Sequence, residues 1–254
     1  MRIGFDAKRA LHNRTGLGNY SRDIIRLFTN NRPNDEFFLF DPEGKGIQFN
    51  YTLFKTHVIN SQRKTGLSKN IWRQYGLKRE IESLHLEVYH GLSNELPVGI
   101  EKTNVKTLVT IHDIIFEKHP EWYPLIDRTI YRSKVKRAIA VADVVIAISE
   151  QTRKDLIDIY GANPDKIKVV YQGCNPVFSE VQSPESIHAH LQLFNLPEQF
   201  LLYVGTIEER KNLHRLVDAI ADLGIPLVVV GRPTDYYQKV AAAMKGFHSY
   251  SQKW

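Results

Sequence analysis

Short apolar runs alternate with helix-length stretches from the first residues of this chain onward, and that alternation leaves few folds open. The runs Ile3 to Phe5, Phe37 to Phe40, Val88 to His90, Thr107 to Ile111, Val144 to Ile148 and Lys168 to Tyr171 have the length of strands. Between them the spacing predicts helices over Gly18 to Phe28, Ile71 to Leu84, Asp127 to Ala140 and Glu150 to Tyr160, the last behind a good N-cap, Ser149. Parallel strands need crossovers of helix length, and apolar strands need cover on both faces. The expected class is therefore α/β, with a Rossmann-like parallel sheet.

From Gly173 to Gln199 the pattern weakens and Asn175-Pro176, Ser183-Pro184 and Leu196-Pro197 punctuate it, as in a linker containing one short helix. The expected division is a first domain over 1–172, a linker over 173–199 and the beginning of a second Rossmann-like domain over 200–254. In that last part Phe200 to Val204, a helix-period stretch from Leu213 to Leu223, and Pro226 to Gly231 read as one βαβ unit. Two parallel strands cannot cover themselves, and Phe247 to Trp254 shows neither strand pattern nor helix closure, so an incomplete domain is expected there.

With 43% hydrophobic and 24% charged residues the 254-residue chain has the profile of a soluble globular protein. One cysteine, Cys174, permits no internal disulfide, and the strand pattern starts at Met1 without room for a signal peptide, so a cytoplasmic location is expected. No apolar run reaches the roughly 18 residues a membrane span needs, which leaves only peripheral membrane contact. The net charge of +6 favours anionic partners. Basic residues concentrate at Arg63, Lys64, Lys69, Arg73, Lys78 and Arg79, near Trp72 and Tyr75, and at Arg128, Arg132 and Lys136 on one helix face. These are either solvated helix faces or a surface for anionic lipid at the inner face of the membrane. Nucleic acid is set aside, because no nucleic-acid module is present.

Four constellations have chemical potential. Thr15-Gly16-Leu17-Gly18-Asn19-Tyr20 lies between the first strand and first helix, where Gly16 and Gly18 make either a phosphate loop or a plain turn. A dinucleotide fingerprint using Gly16, Gly18 and Asp41 fails, because Ala7 to Thr15 separates the glycines from the strand and Ser21 takes the third glycine place. Thr110-Ile111-His112-Asp113 ends a strand at the sheet edge where such folds bind ligands, so His112 faces a cleft or is a packing histidine with Asp113 capping the next turn. His90-Gly91-Leu92-Ser93 ends another strand at the same edge, as a site or as a simple strand exit. Arg210-Lys211, at the expected start of the helix after Phe200 to Val204, is a diphosphate clamp or pairs on the surface with Glu208 and Glu209. Ser149 is an N-cap first, with ligand contact as its second reading.

Together these segments, with Val145-Ile146-Ala147-Ile148-Ser149-Glu150 and Tyr203-Val204-Gly205-Thr206 running into Arg210-Lys211-Asn212-Leu213, resemble glycosyltransferase family 4, whose members have two Rossmann-like domains in the GT-B arrangement. The resemblance extends to about Lys245. It implies retaining transfer of a sugar from a nucleotide-diphosphate sugar donor to a hydroxyl of a glycan or lipid-linked acceptor, without metal or other cofactor. It places Gly16, Gly18, Arg210 and Lys211 on the donor diphosphate, where cations stabilise the charge that grows on the leaving phosphate. His112 becomes the catalytic candidate beside the transferred sugar, with His90, Asp113 and Ser149 near sugar or acceptor, and the first domain becomes the acceptor side. Two departures stand out. Thr206 occupies a place where many members have arginine, and nothing after Gly231 matches the family's glycine-rich loop and paired glutamates. The chain as written is accordingly expected to be inactive or nearly so. The rival readings are a non-catalytic fragment that binds an acceptor or partner, a nucleotide-dependent oxidoreductase disfavoured by the displaced glycines, and an epimerase of the same architecture.

Overall fold

The structure, a computed structural model, describes residues 1–43, 56–60 and 71–243. Arg63, Lys64, Lys69 and the Phe247 to Trp254 tail lie outside the described residues. The chain divides into two compact units, Met1–Asn175 and Pro176–Trp254.

The first unit has a sheet of seven strands: β1 (Arg2–Asp6), β2 (Glu36–Asp41), β3 (Thr56–Asn60), β4 (Val88–Gly91), β5 (Lys106–Ile111), β6 (Val144–Ala147) and β7 (Ile167–Val169). Their order is β3-β2-β1-β4-β5-β6-β7 and every pairing is parallel. This is the expected Rossmann-like α/β sheet. The order reverses between β1 and β4, where Phe5 pairs with Leu39 on one side and His90 on the other. A crevice at the carboxyl ends of the strands belongs at such a reversal.

Glu36-Phe37-Phe38-Leu39-Phe40-Asp41 shows why the strands read as unbroken apolar runs. Phe37 and Leu39 pack into the core on one face, with Ile3, Phe5, Leu11 and Ile25, while Phe38 and Phe40 pack into the core on the other, with Trp72, Leu77, Tyr89 and Val109. Side chains alternate between faces along a strand, and here both faces are covered by helices. Each such buried side chain contributes about 1.5–3 kcal/mol.

Some local expectations need correction. The short, weakly patterned strand β3 was not foreseen, because it lies at the edge and exposes His57. A helix over Lys8–His12 stands between β1 and the Gly16–Asn31 helix, so Gly16 and Gly18 lie in a helix's first turn and not in a loop. The expected Ile71 to Leu84 helix opens with a π-helical turn, Trp72–Gly76, before regular helix over Leu77–Ser83. Its wider turn carries both Trp72 and Arg73 into the interior, and a Cβ at Gly76 would fall 2.7 Å from the Trp72 ring. The Glu150–Tyr160 helix matches expectation residue for residue: Ser149 Oγ accepts from the Thr152 amide at 3.1 Å, and Gly161, at φ +62°, caps the other end.

The second unit contains the Pro184–Leu193 helix, capped by Ser183, and two parallel strands, β8 (Leu201–Val204) and β9 (Leu227–Val230). The helices Leu213–Ile220 and Tyr236–Ala243 cover one face of this pair through Leu213, Val217, Ile220 and Val240. On β8, Leu202 and Val204 are exposed. A Cβ at Gly231 would lie 1.7 Å from the Gly205 carbonyl oxygen, so the exits of the two strands approach as only glycine permits.

Candidate active site

His112 follows β5 directly and is only 7% exposed. Five residues from four segments hold it. Its main-chain amide donates to Asn94 Oδ1 (2.9 Å) and its carbonyl accepts from Thr152 Oγ1 (3.0 Å). Its ring meets Tyr20 edge-on at 4.7 Å. Nε2 donates to the Leu92 carbonyl (3.0 Å), and Gln172 Nε2 donates to Nδ1 (3.2 Å). A carbonyl oxygen only accepts, so the ring proton sits on Nε2 and Nδ1 presents its lone pair to Gln172. Burial pushes the His112 pKa down; the Leu92 bond and Asp113 oppose that shift and the nearby charge of Arg9 adds to it. A neutral imidazole locked in one tautomer supplies shape and fixed polarity, and is not arranged as a proton shuttle.

Behind it lies a chain of buried polar groups. His90 Nε2 and Tyr20 OH each hydrogen-bond Thr110 Oγ1 at 2.9 Å. His90 is 3% exposed, and burial with the neighbouring His112 lowers its pKa to about 4. Its Nδ1 is buried without a hydrogen-bond partner among the described residues. This corrects the placement of His90 on an acceptor surface: its side chain stands beneath the site because β4 is a central strand whose faces are both covered.

Asp113 is exposed and accepts from the Ile115 amide at 3.3 Å, so it caps the following turn while remaining on the rim. Thr152 spends its one hydroxyl proton on the His112 carbonyl, so the Ser149 hydroxyl donates to Thr152 Oγ1 at 3.0 Å. Ser149 is thereby fully engaged as a cap that also braces His112. At Gly18 a Cβ would fall 1.8 Å from the Asn13 carbonyl oxygen, whereas a Cβ at Gly16 would meet nothing within 4 Å among the described residues. Close packing accounts for Gly18, and Gly16 stands at a helix N-terminus where unpaired amides favour anions. Asp41, the acid of the rejected dinucleotide pattern, is buried and hydrogen-bonded to His12 at 2.8 Å.

In the second unit Arg210 and Lys211 lie in a single 3-10 turn, Glu209–Lys211, and Asn212 at φ +54° separates them from the Leu213–Ile220 helix. They precede that helix and do not start it. Arg210 pairs with Glu208 at 2.7 Å, both about a third exposed, which is the surface alternative; such pairs contribute little. Lys211 is exposed and has no ion pair among the described residues.

The basic surface around Trp72 also needs correction. Arg73 is 8% exposed, forms an ion pair with Asp6 at the end of β1 and another with Glu95. Gln74 Nε2 (2.8 Å) and Lys134 Nζ (2.7 Å) complete the shell of Glu95. Arg132 is likewise spent on Glu117, in two bonds of 2.7 and 2.6 Å, and Lys136 lies over the Tyr160 ring. Sequence reading missed Gln172 and the Asp6–Arg73–Glu95 cluster.

The profile of Glycosyltransferase Family 4 matches residues 15–178, which include most of the first unit and all of the His112 cluster. The chain belongs to glycosyltransferase family 4. O-antigen chain mannosyltransferase B of Escherichia coli is 25% identical over 232 residues, covering 86% of this family 4 chain and 59% of that protein. Serotype-specific mannosyltransferase WbdA of Escherichia coli is 29% identical over 140 residues, covering 53% of this chain and 17% of that protein. This chain thus spans well under two thirds of these curated relatives. Among solved structures, Anabaena Alr3699/HepE in complex with UDP-glucose matches with a TM-score of 0.66 at 17% identity, over 99% of this chain and 70% of that one. The catalytic domain of starch synthase IV from Arabidopsis thaliana, bound to ADP and acarbose, matches with a TM-score of 0.64 at 14% identity, over 100% and 74%. At these identities the likeness shows the fold, that of the GT-B glycosyltransferases.

Proposed function

We propose that this chain serves retaining transfer of a sugar from a nucleotide-diphosphate sugar to a hydroxyl of a glycan or lipid-linked acceptor. The observation that carries the reading is the family match over residues 15–178, which contains Tyr20, Leu92, Asn94, Thr152 and Gln172, the residues that fix His112. Two relatives are mannosyltransferases and one structural neighbour holds UDP-glucose, in keeping with a nucleotide-sugar donor.

In this reading the donor-diphosphate residues are Gly16, at the amide end of the Gly16–Asn31 helix, in the first unit, and Lys211 in the second, with Arg210 in a smaller part because Glu208 already neutralises it. Their contribution is electrostatic: fixed positive charge gains strength as the sugar–phosphate bond breaks and the diphosphate becomes more negative. His112, Asp113 and Ser149 border the transferred sugar, with His112 acting through a fixed neutral ring. The 254-residue chain alone turns over little, since β8 and β9 leave Leu202 and Val204 uncovered in the unit that would bind the nucleotide. A panel of GDP- and UDP-sugars with a lipid-linked acceptor, assayed by release of nucleoside diphosphate, tests both points. Release that depends on Lys211 supports the transfer reading and sinks the inactivity; nucleotide binding that is indifferent to Lys211→Ala removes the assigned donor role.

The same exposed face supports the second reading, a fragment that binds an acceptor or partner without catalysis. Trp122, Leu125 and Ile126 are exposed near Arg128 and support peripheral contact with an anionic membrane at its cytoplasmic face. Among the described residues no helix is long and apolar enough to cross a membrane. Co-sedimentation with anionic vesicles at low salt is expected, and its absence would remove that contact.

A further inference from the structure

We propose that the groove between the Trp72–Gly76 turn and the Leu125–Val141 helix is a binding site for a neutral saccharide, holding a part of the glycan other than its reacting hydroxyl. That this glycan is the acceptor rests on the transfer reading; recognition of a saccharide follows from the groove itself.

The groove encloses about 390 Å³, within the range of about 300–1,000 Å³ for small-molecule sites. It is a built feature. Arg137 donates to the Leu96 and Pro97 carbonyls, both at 2.8 Å, and the Val98 amide donates to the Gln74 main-chain carbonyl at 2.6 Å, which ties its walls together across the gap. Its floor is polar and only partly spent. The Glu95 carboxylate has about four acceptor positions and receives Arg73, Gln74 and Lys134. Lys134 has three donors and one ion-pair partner, Glu95, among the described residues. The Ser133 hydroxyl has no protein partner among them. At the mouth the Tyr75 ring is 66% exposed.

Each other class of occupant meets an obstacle. An anion would approach the Glu95 carboxylate, while Arg73, Lys134 and Arg137 already face carboxylates or carbonyls. An acyl chain would dehydrate the Glu95–Lys134 pair and Ser133 and return no hydrogen bonds. A sugar ring supplies hydroxyls that both donate to Glu95 and accept from Lys134 and Ser133, and its C–H face suits the open Tyr75 ring.

The test is a titration of the ¹⁵N-labelled full chain with linear mannotetraose and, separately, maltotetraose at tens of millimolar, followed by amide shifts. At least one sugar should move Tyr75, Ile130 and Ser133. Tyr75→Ala should weaken binding about two- to tenfold, and Ser133→Trp, which plugs the groove from an exposed position, should abolish it; circular dichroism verifies that both variants fold. No shift with either sugar, shifts confined to residues around His112, or unchanged binding by Ser133→Trp overturns the proposal, as does perturbation of these amides by anionic vesicles and by neither sugar. GDP and UDP titrated into the same samples read the donor assignment separately: saccharide binding without nucleotide binding leaves the groove standing and removes the transfer reading.

Discussion

Gln172 donates its side-chain amide to Nδ1 of His112 across 3.2 Å, and because Nε2 is committed to the Leu92 carbonyl, that one bond selects the state of the ring. Sixty positions apart in sequence, the two residues meet because β5 and the segment after β7 end at the same sheet edge.

Replacing Gln172 by glutamate puts a carboxylate where a donor stood. An acceptor beside Nδ1 favours the doubly protonated ring, so the His112 pKa should rise above its wild-type value, and Gln172→Leu should leave it low. Long-range ¹H–¹⁵N correlation spectra against pH report both tautomer and titration. Equal titration in wild type and Gln172→Glu would refute the contact.

His90 makes stability depend on pH. Its folded pKa, about 4, lies below the unfolded value, so protonation favours the unfolded chain. The full stability is present above pH ~6.5 and falls as pH drops from there towards about 4, by on the order of 3 kcal/mol. Urea unfolding of wild type and His90→Gln across this window should show a smaller acid loss in the variant. Parallel losses would assign acid sensitivity to other groups.

The two motif glycines should separate cleanly. Gly18→Ala drives a methyl into the Asn13 carbonyl and should cost about 1–3 kcal/mol. Gly16→Ala enters open space on a helix and should stabilise by about 0.4–1 kcal/mol. Thermal melts of the two variants decide this, and similar losses at both positions would contradict the packing account of Gly18.

Arg73 is the keystone of a buried cluster. Arg73→Ala strands Asp6 and Glu95 without their shared partner and should destabilise the first unit by about 3–5 kcal/mol. Chemical denaturation measures it. A loss under about 1 kcal/mol, the size expected of an exposed pair, would place Arg73 on the surface after all.

Local pattern was enough for most of the fold. Apolar runs located six of the seven strands of the first sheet, and the Ser149 cap fixed the start of one helix to the residue, since capping and side-chain period are properties of a few consecutive residues. It was also enough to bring His112 and Asp113 to a sheet edge. It could not separate His90, sealed beneath the site, from His112 at its surface, because both simply end apolar strands. Nor could it reveal that Arg73 turns inward, that a short helix displaces Gly16 and Gly18 from the loop, or that Leu92 and Gln172 meet the two ring nitrogens of His112. Those facts depend on which strands lie side by side, and strand order is set by burial of the whole sheet between two helical layers, a long-range balance that no short stretch of residues encodes.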